Sequence, residues 1–171
     1  MRDQATTGQG QLRLELDAQV FAESERLVGY EVCNGLLMLN LELQKFLGLR
    51  VEEYQVLMLI MMSSVQHFVR TTDPDPKYRS SAPLPDRFTS AISRRRISEV
   101  LDIPFETVRR IVNDMLARGL IVEPRRGALT TPRGTLQKLS ESGKHEQLIR
   151  RFVATANALV RLEAIQVLAR E

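Results

Sequence analysis

The run ISEVLDIPFETVRRIVNDMLARGLIVEPRRGALTTPRG, residues 97–134, sets a regular apolar pattern beside six arginines: Arg109, Arg110, Arg118, Arg125, Arg126 and Arg133. Ile97, Val100 and Leu101 mark one short amphipathic helix. Ile103 and Pro104 interrupt it, and Val108, Ile111, Val112, Met115 and Leu116 resume at helical spacing. Two helices joined by so short a turn must cross steeply and share one core. Ser98 is small where they approach, Pro104 suits the first turn of the second helix, and Gly119 is the expected left-handed residue after it. Beyond it, LIVE and ALTT are β-prone runs around PRRG, a hairpin tipped by Arg125 and Arg126. The expectation is helix, turn, helix and basic hairpin, the second helix over about residues 104–118 and the hairpin over about 121–131.

This order of elements is that of a winged helix, and its outward face has the chemistry of a groove reader. Val108, Ile111, Val112 and Met115 claim the core side of the second helix, leaving Phe105, Glu106, Arg109, Arg110 and Asn113 outward. Arginine can bond a guanine edge in bidentate fashion, asparagine can read adenine, and glutamate can accept from the cytosine amine, each pair contributing about 1–3 kcal/mol of base discrimination. Phe105 either meets a thymine methyl or packs against the turn. Arg125 and Arg126 suit phosphates or the minor groove, and Arg94, Arg95 and Arg96 precede the first helix, where a backbone contact is common. The competing reading of these cations is a solvated basic face; their place in the motif favours double-stranded DNA.

Charge is distributed accordingly. Residues 94–138 hold ten Lys or Arg against five acids, a local net of +5, so the rest of the chain carries −2 of the overall +3. A basic middle between slightly acidic flanks fits a polyanion-binding module carried on other structure.

Composition narrows the class further. The chain has 171 residues, 43% of them apolar, enough for one domain, or for a small domain flanked by dimerisation helices. Aromatics are only 5% and Trp is absent, the palette of packed helices. The fold class expected is mainly α: a three-helix core with a β-hairpin wing, flanked by N- and C-terminal dimerisation helices. Cys33 is the sole cysteine, and with only His67 and His145 beside it there is no ligand set for a structural zinc. Cys33, in an apolar helical stretch, is expected to be buried and inert, the alternative being a redox sensor. The N-terminus lacks an apolar signal region, and the longest apolar run, residues 56–62, is far short of the ~20 residues that span a bilayer. A cytoplasmic protein with no membrane partner is expected. No Gly-rich phosphate loop, HExxH or GxSxG occurs, so neither catalysis nor a cofactor is expected. Met58, Met61 and Met62 read as core, or alternatively as the lining of a small-molecule effector pocket.

Five segments follow. Residues 1–16 read as a disordered tail. Residues 17–70 read as two helices divided by Gly48, the second opened by Glu52 and Glu53 at the positive end of its dipole. Residues 71–91, with Pro74, Pro76, Pro83 and Pro85, read as a loop, either a mobile connector or a contact for a partner or pocket. Residues 92–134 are the winged helix, and 135–171 are C-terminal helices broken at SESGKHE. The last of these carries two apolar stripes, Leu148, Phe152, Leu159 and Leu162 beside Ile149, Val153, Ala156, Val160 and Val167. The first helix is likewise richer in apolar residues than one core requires. Both point to a homodimer built from the two ends of the chain. A two-fold dimer would set two reading helices about one DNA turn apart, matching an inverted-repeat operator.

The opening run resembles the winged helix-turn-helix of bacterial transcriptional regulators, and ETVRR, residues 106–110, is similar to the recognition helix of the Crp/Fnr family. The order of the whole chain resembles the MarR family: a long first helix, LGLRVEEYQVLMLI, the central motif, LTTPRG after the wing, and C-terminal helices. The resemblance implies base contacts from Glu106 and Arg110 and a phosphate contact from Thr107. Phe105 stands where the Crp/Fnr pattern often has a polar or basic residue. Asp102 replaces the usual turn glycine, and aspartate tolerates the left-handed conformation better than most residues. The function implied is sequence-specific, dimeric DNA-binding regulation of transcription; the alternative is a winged-helix protein-interaction or assembly module.

Overall fold

The computed structural model describes residues 12–71 and 76–169. These are mainly helical: α1 (Ala18–Leu47), α2 (Val51–Val69), α3 (Arg94–Leu101), α4 (Phe105–Ala117), α5 (Thr135–Glu141) and α6 (Lys144–Arg161), with strands β1 (Leu12–Leu16), β2 (Val122–Arg125), β3 (Ala128–Thr130) and β4 (Ile165–Ala169). They form two compact units, Leu41–Gln147 and Met1–Asn40 with Leu148–Glu171.

In the first unit, α2, α3 and α4 enclose one core. Val56, Leu57 and Ile60 come from α2, Ile97 from α3, and Val108, Ile111, Val112 and Met115 from α4; Ile121 and Leu129 close it from the hairpin side. The spacing of the α4 residues gives a single buried face. Burying each such side chain stabilises the unit by about 1.5–3 kcal/mol. Val100, expected on the apolar face of the motif's first helix, instead lies on the outer side of α3, 47% exposed.

The turn between α3 and α4 is held by local bonds. Asp102 takes the left-handed conformation (φ 53°, ψ 39°). The Ser98 hydroxyl donates to the Ile103 carbonyl at 2.7 Å, and Ser93 caps α3 by accepting from the Arg96 N–H at 3.1 Å. Pro104 stands one residue ahead of α4, at φ −52° and ψ 135°, rather than inside its first turn. There its extended backbone ends the turn and its missing N–H costs nothing. At the other end Gly119 is left-handed (φ 68°), as its position after the helix requires.

β2 and β3 pair antiparallel, Val122 with Thr130 and Arg125 with Ala128, with an irregularity between. Ile92, just before α3, exchanges two backbone hydrogen bonds with Leu129, at 3.0 and 2.9 Å, and so adds a bridge to the hairpin's inner edge.

The Pro-rich segment departs from a bare connector. Residues 76–91 include two 3-10 turns, Pro76–Tyr78 and Asp86–Phe88. Phe88 packs edge-on to Phe68 of α2 at 5.7 Å and lies 5.9 Å from Tyr78. Ser64, buried on α2, receives the segment and the hairpin together. Its carbonyl accepts from Ser90 N–H, and its hydroxyl bonds Thr130 at 2.9 Å and accepts from Thr131 N–H at 3.3 Å.

The second unit revises both ends of the expected chain. Residues 12–16, expected in the disordered tail, form β1; residues 1–11 of that tail lie outside the described residues. The last helix does not run to the C-terminus, because Glu163 turns left-handed (φ 58°) and the chain leaves as β4. The two strands pair antiparallel from Leu12 with Ala169 to Leu16 with Ile165. Val167 therefore belongs to a strand and not to a helical stripe. Asp17 joins ribbon to helix: its Oδ1 accepts from the Gln19 and Val20 N–H groups at 3.0 Å each, and Gln166 bonds its other oxygen. α1 is interrupted at Ser24 (φ −125°, ψ 21°). Further along, a Cβ at Gly35 would overlap the Thr155 side chain of α6, so a glycine is what lets the helices approach there. Cys33 is exposed, not buried.

Candidate nucleic-acid interface

The same periodicity that buries one face of α4 turns the other to solvent. Glu106, Arg109, Arg110 and Asn113 are exposed, Thr107 is half-buried, and Phe105 is 49% exposed. All but Phe105 line a shallow, open hollow of about 270 Å³.

Glu106 and Arg109 occupy each other. The Arg109 Nε donates to both carboxylate oxygens, at 3.0 and 2.9 Å, and Nη2 donates to Oε1 at 2.5 Å. The hydrogen bonds from Arg109 hold the Glu106 carboxyl below its ordinary range, and the carboxylate raises Arg109 in return. Arg110, one residue on, has no ion-pair partner among the described residues. The face thus offers one free guanidinium beside a neutral pair and an amide.

The three arginines that open α3 separate into two kinds. Arg94, expected near a DNA backbone, instead turns to the hairpin and makes a two-pronged pair with Glu123, at 3.2 and 2.8 Å. Their side chains are only 19% and 24% exposed. Glu123 also accepts from the Gly127 N–H at 2.6 Å. Arg94 first, and the Gly127 N–H second, lower its carboxyl. This carboxylate therefore fixes the hairpin tip against the start of α3. Arg95 and Arg96 remain outside, sharing Glu99 at 3.1 and 3.4 Å. Arg125 and Arg126 are exposed at the hairpin turn, where Gly127 (φ 78°) supplies the left-handed residue.

A second feature was not visible in the motif. Between the end of α1, the start of α2 and the outer side of α4 lies an open cleft of about 760 Å³. Its charged lining is Lys45, Arg50, Arg110 and Arg118, with Glu53 and Asp114. Lys45 and Arg50 lie about sixty residues ahead of α4 in the chain, so only folding brings them to it. Glu123 was missed for the same reason: nothing in the spacing of Arg94 and Glu123 announces a pair.

Elsewhere, Met61 packs against the core and Met58 is half-buried, but Met62 is 61% exposed. His67 and His145 are exposed. Among the described residues no group of three His, Cys, Asp or Glu is placed to hold a metal ion, and no helix is long and apolar enough to cross a membrane. No protein-family model matches the chain, and neither a curated protein nor a solved structure is significantly similar to it.

Proposed function

We propose that residues 41–147 form a winged helix-turn-helix and that the chain is a homodimeric, sequence-specific DNA-binding regulator of transcription, working in the cytoplasm. The observation that carries this reading is the division of α4. One face is entirely committed to the core through Val108, Ile111, Val112 and Met115, and the opposite face presents Arg110, Asn113 and the Glu106–Arg109 pair. The tight left-handed turn before α4 and the arginine-tipped hairpin after it support the same reading.

On this proposal α4 lies in the major groove. Arg110 bonds a guanine edge directly, Asn113 reads an adjacent base, and Phe105 meets a thymine methyl. Glu106 accepts from a cytosine amine when Arg109 exchanges it for a phosphate. Thr107, Arg95 and Arg96 touch the backbone, while Arg125 and Arg126 follow the phosphates or enter the minor groove. Arg94 leaves this set and serves the wing through Glu123.

The dimer is proposed from the other unit. On the β1–β4 ribbon, Leu14 and Leu16 share a face with Ile165 and Val167, the opposite face carrying Arg13, Glu15 and Gln166. Leu14, Leu16 and Val167 are 59%, 60% and 52% exposed. Leu27, Leu36, Leu37 and Phe152 in the same unit are each more than half exposed. A second copy that covers part of this exposed apolar surface would remove it from water.

Phe105 and Val100, both apolar and exposed, favour a second reading, a winged helix that docks a protein. Selection from a random duplex pool at two salt concentrations decides between them. A DNA regulator enriches an inverted repeat and binds more weakly at higher salt, because phosphate contacts release counterions. A protein-docking module enriches nothing at either salt.

A further inference from the structure

We infer that the cleft between the start of α2 and the outer side of α4 is a phosphate track that extends the DNA contact beyond the helix, with Lys45 and Arg50 as its cations. The inference rests on the proposed reading of α4. Four cations line the cleft against two acids, and one of the acids is already in an ion pair. Glu53 accepts from the Arg50 backbone N–H at 2.9 Å, and Asp114 pairs with Arg118 at 3.1 Å. Lys45, Arg50 and Arg110 are left without an ion-pair partner among the described residues. Against these three cations stands only the Glu53 carboxylate, since a backbone N–H does not neutralise it, so the hollow keeps a positive excess that a polyanion relieves.

Continuity decides which anion. Arg110 lines both this cleft and the hollow on the outward face of α4. A backbone strand leaving the edge of a groove read by Arg110 therefore runs into the cleft without crossing an uncharged surface. The cleft is wide and open, which suits a passing strand better than an enclosed small ligand.

The backbone at this point is committed to structure, while the side chains are not. Arg50 gives its N–H to Glu53 and its carbonyl to Tyr54 N–H, at 2.9 Å each, so the start of α2 is held without its guanidinium. Lys45 is exposed in the last turn of α1. Both can lose their charge without loss of a packing contact in the core.

The test measures binding of the full chain to a selected duplex and to a scrambled one over a range of salt, for wild type, Lys45→Gln/Arg50→Gln and Arg110→Ala. The double variant is expected to bind both duplexes about tenfold more weakly, with the preference between them kept. Its plot of log K against log salt becomes shallower by about 1.8, two phosphate contacts at 0.9 each. Arg110→Ala loses the preference instead. If the double variant keeps wild-type affinity and slope while Arg110→Ala loses preference, the track is overturned and base reading by α4 stands. If wild type binds neither duplex, the DNA reading itself fails. Inorganic phosphate at constant ionic strength separates the remaining source of the chemistry. Inorganic phosphate that binds wild type but not the double variant, while the two proteins bind DNA equally, would make the cleft a site for a free phosphate compound and overturn the track.

Discussion

The two units of this chain use apolar residues in opposite ways. Residues 41–147 bury thirteen apolar side chains in one cluster, from Leu49 to Leu129. Among its described residues, the unit of residues 12–40 and 148–169 buries only Val28, Ala158 and Ala164. Yet it exposes Leu14, Leu16, Leu27, Tyr30, Leu36, Leu37 and Phe152 by more than half. Ordering each residue costs about 1–2 kcal/mol of backbone entropy, which apolar burial must offset. One unit meets that cost within the chain. The other has the apolar residues to meet it but leaves them facing water, which the proposed second copy would cover.

That contrast can be broken at either unit. The largest effect is expected in the closed core. Ile111→Ala, at a residue only 2% exposed, removes packing with no route for collapse and should cost about 2–5 kcal/mol, read as a lower denaturation midpoint. The same kind of change on the open unit should behave differently. Leu16→Asp with Val167→Asp should leave the melting of residues 41–147 intact and convert dimer to monomer in sedimentation. A dimer that survives both charges would remove the ribbon from the interface.

Smaller effects sharpen the account of the β2–β3 hairpin. Glu123→Gln keeps the shape but removes the charge that binds Arg94, and should cost about 1–2 kcal/mol. The pH dependence carries a definite sign. Because Arg94 and the Gly127 N–H lower the Glu123 carboxyl in the folded protein, its contribution is complete above the ordinary carboxylate value. It is lost as pH falls through the lowered one. The stability difference between wild type and Glu123→Gln should therefore be flat at neutral pH and shrink only in acid, as denaturant titrations at several pH values would show. The smallest change runs the other way. Asp102→Gly relieves a left-handed aspartate and should stabilise the turn by less than about 1 kcal/mol, since the glycine also loosens the unfolded chain.

How much of this was legible in the sequence depended on distance along the chain. The core of residues 41–147 follows from apolar spacing within single helices, and α4 begins and ends within a residue of its expected bounds. The turn was legible too, because only a few residue types accept the conformation that Asp102 adopts. The ribbon was not. β1 and β4 are separated by most of the chain, and a five-residue alternation such as IQVLA reads equally well as one more turn of an apolar helix. Cys33 reads as buried because its neighbours are apolar, whereas Leu36, Leu37 and Met38 just after it are themselves exposed. Phe88 was lost among prolines, although its ring is what packs the loop on α2.

The candidate site divides along the same line. Arg110, Arg109, Glu106 and Asn113 were readable because they share one face of one helix. The retirement of Arg94 to Glu123 was not, nor was the cleft of Lys45 and Arg50, because these are products of tertiary folding.

The central claim is that α4 reads bases through Arg110. The most direct measurement is the affinity of wild type and Arg110→Ala for the selected duplex and for a set with each guanine replaced in turn. The account predicts that wild type loses about 1–3 kcal/mol at one guanine of each half-site and that Arg110→Ala becomes indifferent at that position alone. Equal discrimination by both proteins at every position would contradict it.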